Sequence, residues 1–249
     1  RWFEGGQTNL CHNAVDRHLK DRADQNALIF VSTETDIEKA YSFRELHTEV
    51  NRMAAILKGL GVTKGDRVLI YMPMIAEACF AMLACVRIGA IHSVVFGGFA
   101  SHALASRIDD ARPVAIISAD AGMRSGKVVP YKHLLDEAIS LSSHKPAKVL
   151  MVNRGLADLA PVPGRDVDYA SERARVIDAQ VPCEWVDSTH PSYILYTSGT
   201  TGKPKGVQRD TAGYAVALAA SMKHIYMGNP GETYFSCLLY TSPSPRDLS

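Results

Sequence analysis

The chain has 249 residues, 47% of them hydrophobic, which is enough to bury a sizeable core and excludes a disordered or fibrous polypeptide. Twenty-seven basic residues against 26 acidic ones leave a formal charge of +1, so no net field draws nucleic acid or an anionic membrane, and any anion must be held locally. The five cysteines include no Cys-x-x-Cys pair and are odd in number, which fits a reducing, cytoplasmic setting better than a disulfide framework.

In chain order, Asn13 to Arg22 reads as a short amphipathic helix and Ala27 to Val31 as a strand. Ser42 and Glu45 form a capping box that opens a helix with Leu46, Val50, Met53, Ala54 and Leu57 on one face, and Gly59 and Gly61 lie where it should stop. Val68 to Tyr71 predicts a strand, Ala76 to Arg87 an alanine-rich buried helix ended by Gly89, and His92 to Phe96 a third strand running into Gly97-Gly98. A helix over 101–109, a strand over 114–118, a helix over 131–140 and a strand over 149–152 follow. Strand and helix alternate with short connections, which predicts an α/β fold: a mainly parallel sheet flanked by helices, with binding sites at the C-terminal ends of its strands. Residues 154–184 lack periodicity and carry prolines at 161, 163 and 182, so they read as a covering loop region. The richest apolar run, Cys79 to Val86, is too short to span a membrane, and no leader peptide is visible, although the chain opens on Arg1.

Tyr193 to Tyr196 reads as a buried strand that empties into Thr197-Ser198-Gly199-Thr200-Thr201-Gly202-Lys203-Pro204-Lys205-Gly206-Val207. Glycines let main-chain N–H groups approach a polyanion, hydroxyls add donors, and Lys203 and Lys205 add charge, which is the chemistry of a phosphate grip. By composition alone the same cluster also fits an ordinary surface turn. It is not a Walker A loop, because Thr197 stands at the first glycine position and Pro204 where Ser or Thr belongs. Nor is it a nucleophile elbow around Ser198, since Tyr196 replaces the first glycine.

A second patch runs from Asp120 to Lys127. Its two cations, Arg124 and Lys127, sit three apart in a glycine-containing stretch that suits a second phosphate or a plain solvated turn. The nine histidines show no metal spacing, so His92 and His133 read as packing or surface residues and no metal site is assigned.

The string Tyr196-Thr197-Ser198-Gly199-Thr200-Thr201-Gly202-Lys203-Pro204-Lys205-Gly206 resembles the signature of the adenylate-forming superfamily of acyl-CoA synthetases, luciferases and peptide-synthetase adenylation domains. Asn9-Leu10-Cys11-His12-Asn13, Tyr71-Met72-Pro73-Met74 and the run His92 to Phe99 are similar to its short-chain branch, and Val207-Gln208-Arg209-Asp210 favours the propionate-activating side over the acetate-activating one. The resemblance implies the N-terminal part of the large domain of an adenylate-forming enzyme, with residues 1–25 ending an N-terminal segment and 26–235 forming an AMP-binding domain. It implies ATP and coenzyme A as cofactors and a small carboxylate, propionate, as substrate. Thr197, Ser198, Gly199, Thr200, Thr201, Gly202, Lys203 and Lys205 would face the ATP phosphates, and Gly98, Arg124 and Lys127 would contact coenzyme A, with lysine at 127 where the acetate branch usually has arginine. A magnesium ligand, the adenine pocket and a catalytic lysine are expected in sequence beyond these residues, so the chain alone is expected to be inactive. Beyond Phe235 the likeness stops, and residues 236–249, with their Ser-Pro repeats, read as a disordered, non-native tail. Acetate as substrate, or a nucleotide-binding module without chemistry, are the alternatives; oligomeric state is not legible.

Overall fold

The computed structural model describes residues 3–97, 100–124, 126–197 and 204–235. Gly98, the residues 198–203 and the 236–249 tail therefore lie outside the described residues. The chain divides into two compact units, Arg1–Ala215 and Val216–Ser249.

The first unit opens with β1 (Gln7–Thr8), α1 (Leu10–Ala14), a 3-10 turn over Asp16–His18 and α2 (Leu19–Arg22). The single helix expected over 13–22 is thus two short helices, because Asn9 caps α1 through a bond from the His12 N–H and Val15 leaves helical geometry at φ −128°, ψ −64°. Then come β2 (Asn26–Ser32), β3 (Ile37–Ser42), α3 (Phe43–Gly59), β4 (Arg67–Tyr71), α4 (Ala76–Arg87), β5 (Ile91–Val94) and α5 (Ser101–Ala111). They are followed by β6 (Ala115–Ala119), β7 (Gly122–Arg124), β8 (Lys127–Val129), α6 (Tyr131–Leu141), β9 (Lys148–Val152), β10 (Asp166–Asp168) and α7 (Tyr169–Arg175). Last are β11 (Val186–Asp187), β12 (Pro191–Thr197), β13 (Lys205–Asp210) and α8 (Thr211–His224), within which the division between units falls.

The capping box of α3 forms as expected, Ser42 and Glu45 satisfying each other's backbone N–H. At the other end Gly61, at φ +89°, lets the Val62 N–H return to the Leu57 carbonyl at 3.0 Å.

Among the described residues the main sheet has seven strands in the order β10-β9-β6-β4-β5-β12-β13. All neighbours are parallel except the last pair, β12 and β13. Strand side chains alternate between two cores. Val68, Ile70, Ala115, Ile117, Leu150 and Val152 pack with α3 and α4, whereas Leu69, Tyr71, Ile116, Val149 and Met151 pack with α5 and α6. From β4 the chain crosses through α4 to β5 on one side, then through α5 to β6 on the other side of β4. Connections leaving the C-terminal ends of β4 and β6 therefore run opposite ways and open a crevice there.

Two stretches differ from expectation. Residues 154–184 are not merely a covering loop, since they contain β10 and α7, and Asp168 caps α7 by accepting from the Ser171 N–H at 2.7 Å. Lys205 to Asp210 is a strand and not part of a loop.

Asp120, fully buried, holds the start of the 154–184 stretch. Its carboxylate accepts from the main-chain N–H groups of Arg154 at 3.0 Å, Leu156 at 2.7 Å and Ala157 at 3.2 Å. The acid at the head of the predicted anion patch is therefore a structural clasp, turned inward. Replacing it by alanine strands three donors, so Asp120→Ala is expected to lower unfolding free energy by about 3 kcal/mol, with Asp120→Asn losing less, as read by urea denaturation.

Candidate functional site: the C-terminal edge of the sheet

Strand β12 joins the sheet through β5, with Tyr193 opposite His92, and pairs on its other side with β13. In that antiparallel register Leu195 lies opposite Val207, Tyr196 opposite Gly206 and Thr197 opposite Lys205. The end of β12 and the start of β13 therefore lie side by side, on the same edge as the C-terminal ends of β4, β5 and β6. Thr197 and Lys205 are both exposed there, with the Thr197 hydroxyl 3.5 Å from the Lys205 carbonyl. The four-residue apolar strand expected to be buried is only half-buried, because β12 has just β13 beyond it and Leu195 is left exposed. Gly206 answers a close approach: a Cβ there would stand 3.1 Å from Ile194 Cγ2 and 3.2 Å from the Tyr196 ring.

Beside the hairpin lies a shallow depression of about 330 Å³ lined by Ser106, Asp109, Asp110, Tyr196 and Pro204. The Tyr196 hydroxyl donates to Asp110 at 2.6 Å, and burial together with that carboxylate pushes the phenol pKa up. Two carboxylates make this depression a poor receptor for a polyanion. It buttresses the C-terminal half of β12.

His92 is buried behind the hairpin, its ring stacked on Tyr193 at 5.7 Å between centroids, and Tyr214 meets Tyr193 edge-on at 4.7 Å. Its Nδ1 has no hydrogen-bond partner among the described residues. Burial pulls its pKa down to about 4, so the imidazole is neutral in the folded state at pH 7.

The second predicted patch is a β-hairpin. Arg124 on β7 faces Lys127 on β8 across the register, both exposed. The guanidinium of Arg124 stands 5.9 Å from the centroid of Phe96, two residues before Gly98. The base of the hairpin is fixed by Glu34, which accepts from the Met123 N–H at 3.3 Å and pairs with Arg154 at 2.5 Å. Arg124 and Phe96, distant in sequence, are thus brought together at the crevice above β4, β5 and β6.

One residue there escaped the sequence reading. Tyr131, the first residue of α6, packs 5.0 Å from the Tyr71 ring and lies under both glycine-bearing turns. A Cβ at Gly97 would fall 1.9 Å from its hydroxyl oxygen, and one at Gly122 would fall 3.0 Å from the same atom. Glycine at 97 is required by this approach. The only sequence signal was an aromatic residue directly after Pro130, which does not by itself indicate a site.

Magnesium finds no suitable holder among the described residues near the hairpin. Asp110 is taken by Tyr196, and Asp109 accepts from the His144 N–H at 2.8 Å. Among the described residues the one cluster of potential ligand groups, Cys11, Asp16 and Cys183, carries two thiols, which a hard cation avoids.

Two outcomes follow from this packing. Gly97→Ala is expected to cost about 1–3 kcal/mol of stability by overpacking, and Tyr131→Ala in the same chain should recover part of that loss in a double-mutant cycle. For His92 the unfolded chain takes up a proton near pH 6.5 whereas the folded one waits until about 4, so stability falls as pH drops through that window, by up to roughly 3 kcal/mol. His92→Phe should flatten that limb when urea midpoints are compared from pH 7 to 4.5.

Comparison with known proteins gives concordant results. A family model described as AMP-binding enzyme matches residues 15–241. The chain is 63% identical over 235 residues to the Propionate--CoA ligase of Escherichia coli (strain K12), covering 94% of this chain and 37% of that protein. It is 47% identical over 238 residues to the human Acyl-CoA synthetase short-chain family member 3, mitochondrial, covering 95% and 34%. It is also 47% identical over 236 residues to the Acetyl-coenzyme A synthetase of Methylobacterium radiotolerans, covering 94% and 36%. The chain thus spans little more than a third of the length of these relatives.

Proposed function

This chain belongs to the AMP-binding enzyme family, and on that premise we propose that the protein carrying it is an ATP-dependent short-chain acyl-CoA ligase that activates propionate. The observation that carries the reading is the 63% identity to a propionate ligase, against 47% to an acetyl-coenzyme A synthetase over nearly the same stretch. In the proposed reaction the propionate carboxylate attacks the α-phosphate of ATP and expels pyrophosphate, leaving an acyl-adenylate. The thiol of coenzyme A then attacks the acyl carbon and displaces AMP.

The role proposed for Thr197, Ser198, Gly199, Thr200, Thr201, Gly202, Lys203 and Lys205 is electrostatic. Their N–H, hydroxyl and ammonium groups offset the charge that grows on the β- and γ-phosphates as pyrophosphate leaves, and none acts as a covalent nucleophile. The hairpin register supports this, because it sets Lys205 directly opposite Thr197 at the C-terminal end of β12. Gly98, Arg124 and Lys127 are proposed to receive coenzyme A, Arg124 as a forked donor and Lys127 as a point charge to a phosphate group. The meeting of Arg124 with Phe96 supports that grouping. No step is assigned to magnesium. The domain layout proposed is an N-terminal segment to residue 25, the AMP-binding domain over 26–235 and a non-native stretch over 236–249. A cytoplasmic setting is proposed as well. It is supported by four free cysteines among the described residues, where no helix is long and apolar enough to cross a membrane.

The two half-reactions separate the proposed roles. Lys203→Ala is expected to depress propionate-dependent ATP–pyrophosphate exchange, whereas Arg124→Ala should leave that exchange intact and raise KM for coenzyme A roughly tenfold or more, the loss of one charge-assisted hydrogen bond. Profiling the protein with acetate, propionate and butyrate should favour propionate over acetate by about 10–200-fold, the worth of one methylene. Preference for acetate would overturn the substrate, and absence of exchange with any of the three acids would overturn the reaction.

A further inference from the structure

Away from the sheet edge, three distant segments meet around two sulfur atoms. Cys11, in α1, is fully buried, and Cys183, in the extended stretch before β11, is partly exposed. Their Sγ atoms and an Asp16 carboxylate oxygen all lie within 4.8 Å of one another. Asn9 fastens α1 to this stretch, its side-chain amide donating to the carbonyls of Val86 at 2.8 Å, Arg87 at 3.1 Å and Glu184 at 2.8 Å. The two thiols therefore face each other across a seam that the surrounding hydrogen bonds hold closed.

The cluster does not suit a cation. Arg87 donates to both Asp16 oxygens at 2.9 Å, and its Nη1 stands 3.4 Å from Cys11 Sγ, so a positive charge already occupies the place a metal would take. It does suit a thiolate. The Cys11 side chain beside it, with the nearby Arg87 charge, lowers the pKa of the Cys183 thiol, whereas burial raises those of Cys79 and Cys85. Among the described cysteines, Cys183 combines partial exposure with a favoured thiolate, and Cys11 stands directly behind it.

We propose that Cys183 and Cys11 form a reversible oxidation site, with Cys183 the sulfur attacked first by a hydroperoxide and Cys11 the thiol that closes the disulfide. The Cys183 thiolate attacks the terminal peroxide oxygen, the O–O bond breaks, and the leaving oxygen takes a proton as water or an alcohol. Cys183 is now a sulfenic acid, oxidised by two electrons while the peroxide is reduced. Cys11 then attacks that sulfur, the S–O bond breaks, and the hydroxide leaves as water with the Cys11 proton. In sum two thiols and one hydroperoxide give one disulfide, water and the reduced peroxide. The new bond would tie α1 to the stretch leading into β11 covalently, and a dithiol reductant would undo it. This site is independent of the ligase reading and of the sheet edge.

The test is peptide mapping of the protein purified without reductant, treated with hydrogen peroxide, alkylated under denaturing conditions and analysed by mass spectrometry. The expected result is loss of two alkylatable thiols, a Cys11–Cys183 linked peptide, and its disappearance with dithiothreitol. In Cys11→Ser the link is lost and Cys183 is trapped by dimedone as the sulfenic acid, whereas in Cys183→Ser the buried Cys11 stays reduced. Persistence of both thiols in the parent protein under excess peroxide would overturn the proposal. So would a link to a different cysteine, or dimedone labelling of Cys183 in Cys11→Ser no stronger than that of Cys79. The parent-protein map stands whether or not either variant folds.

Discussion

The hairpin that carries the candidate phosphate segment is tied to the rest of the sheet through one strand, and that junction depends on an uncharged imidazole. Tyr193 is the residue of β12 in register with β5, and its partner there is His92. The two rings stack, Tyr214 closes against Tyr193 from the side, and the Nδ1 of His92 has no hydrogen-bond partner among the described residues to offset a positive charge. A buried imidazolium without a counter-ion is costly, so the packing of β12 against β5 is bound to the neutral form. Parallel pairing supplies the other half of the constraint. Because β12 runs with β5, its C-terminal end lies on the edge where β4, β5 and β6 end, and antiparallel β13 begins opposite it.

A single phenol organises the neighbouring crevice. Tyr131 enters from α6, on the face of the sheet packed by Leu69, Ile116 and Val149, and reaches the turns after β5 and β6. Those turns approach its ring so closely that a methyl group at residue 97 has no place. The Tyr71 hydroxyl lies 3.4 Å from the Gly97 carbonyl and completes the floor. Backbone that lies against a rigid aromatic floor, with no side chains of its own, leaves its outer surface open to a ligand. The paired cations of the β7–β8 hairpin stand at the rim, and the inward clasp of Asp120 keeps its carboxylate away from them.

The parts of the fold that were legible in the sequence are those where burial and period coincide. Val68 to Tyr71 and Val149 to Val152 lie inside strands covered on both faces, so an unbroken apolar run was the correct signature, and the α3 capping box marked its helix by chemistry alone. The illegible parts are short or lie at edges. Strand β13 is exposed along most of its length and reads Lys-Gly-Val-Gln-Arg-Asp, with no alternation to separate it from the preceding loop. β10 has three residues and α7 seven, too few for a period to appear between the prolines at 161, 163 and 182. In the candidate site, the cations at 124 and 127 were visible as spacing, but their pairing across a hairpin was not. Tyr131 was invisible because its importance comes from what packs on it, the turns at Gly97 and Gly122, which lie outside its own helix.

The N-terminal seam shows how a buried charge specifies arrangement without having to add net stability. Arg87 ends α4 nearly fully buried, and its guanidinium meets Asp16 and Cys11 of the N-terminal stretch and the carbonyl of Val181, the last at 2.5 Å, groups from two stretches far from it in sequence. Desolvating such a pair offsets much of its attraction, so its worth lies in rejecting other packings: displacing any one of the segments leaves a buried ion uncompensated. Against the opposing effect of burial, the His47 and Arg87 side chains together hold the Asp16 carboxyl well below the usual carboxylate range. The polar shell that fixes α1 against α4 also encloses the Cys11 and Cys183 sulfurs. Precise assembly of that corner and the closeness of its two thiols therefore have one physical origin, the need of a buried guanidinium for acceptors on every side.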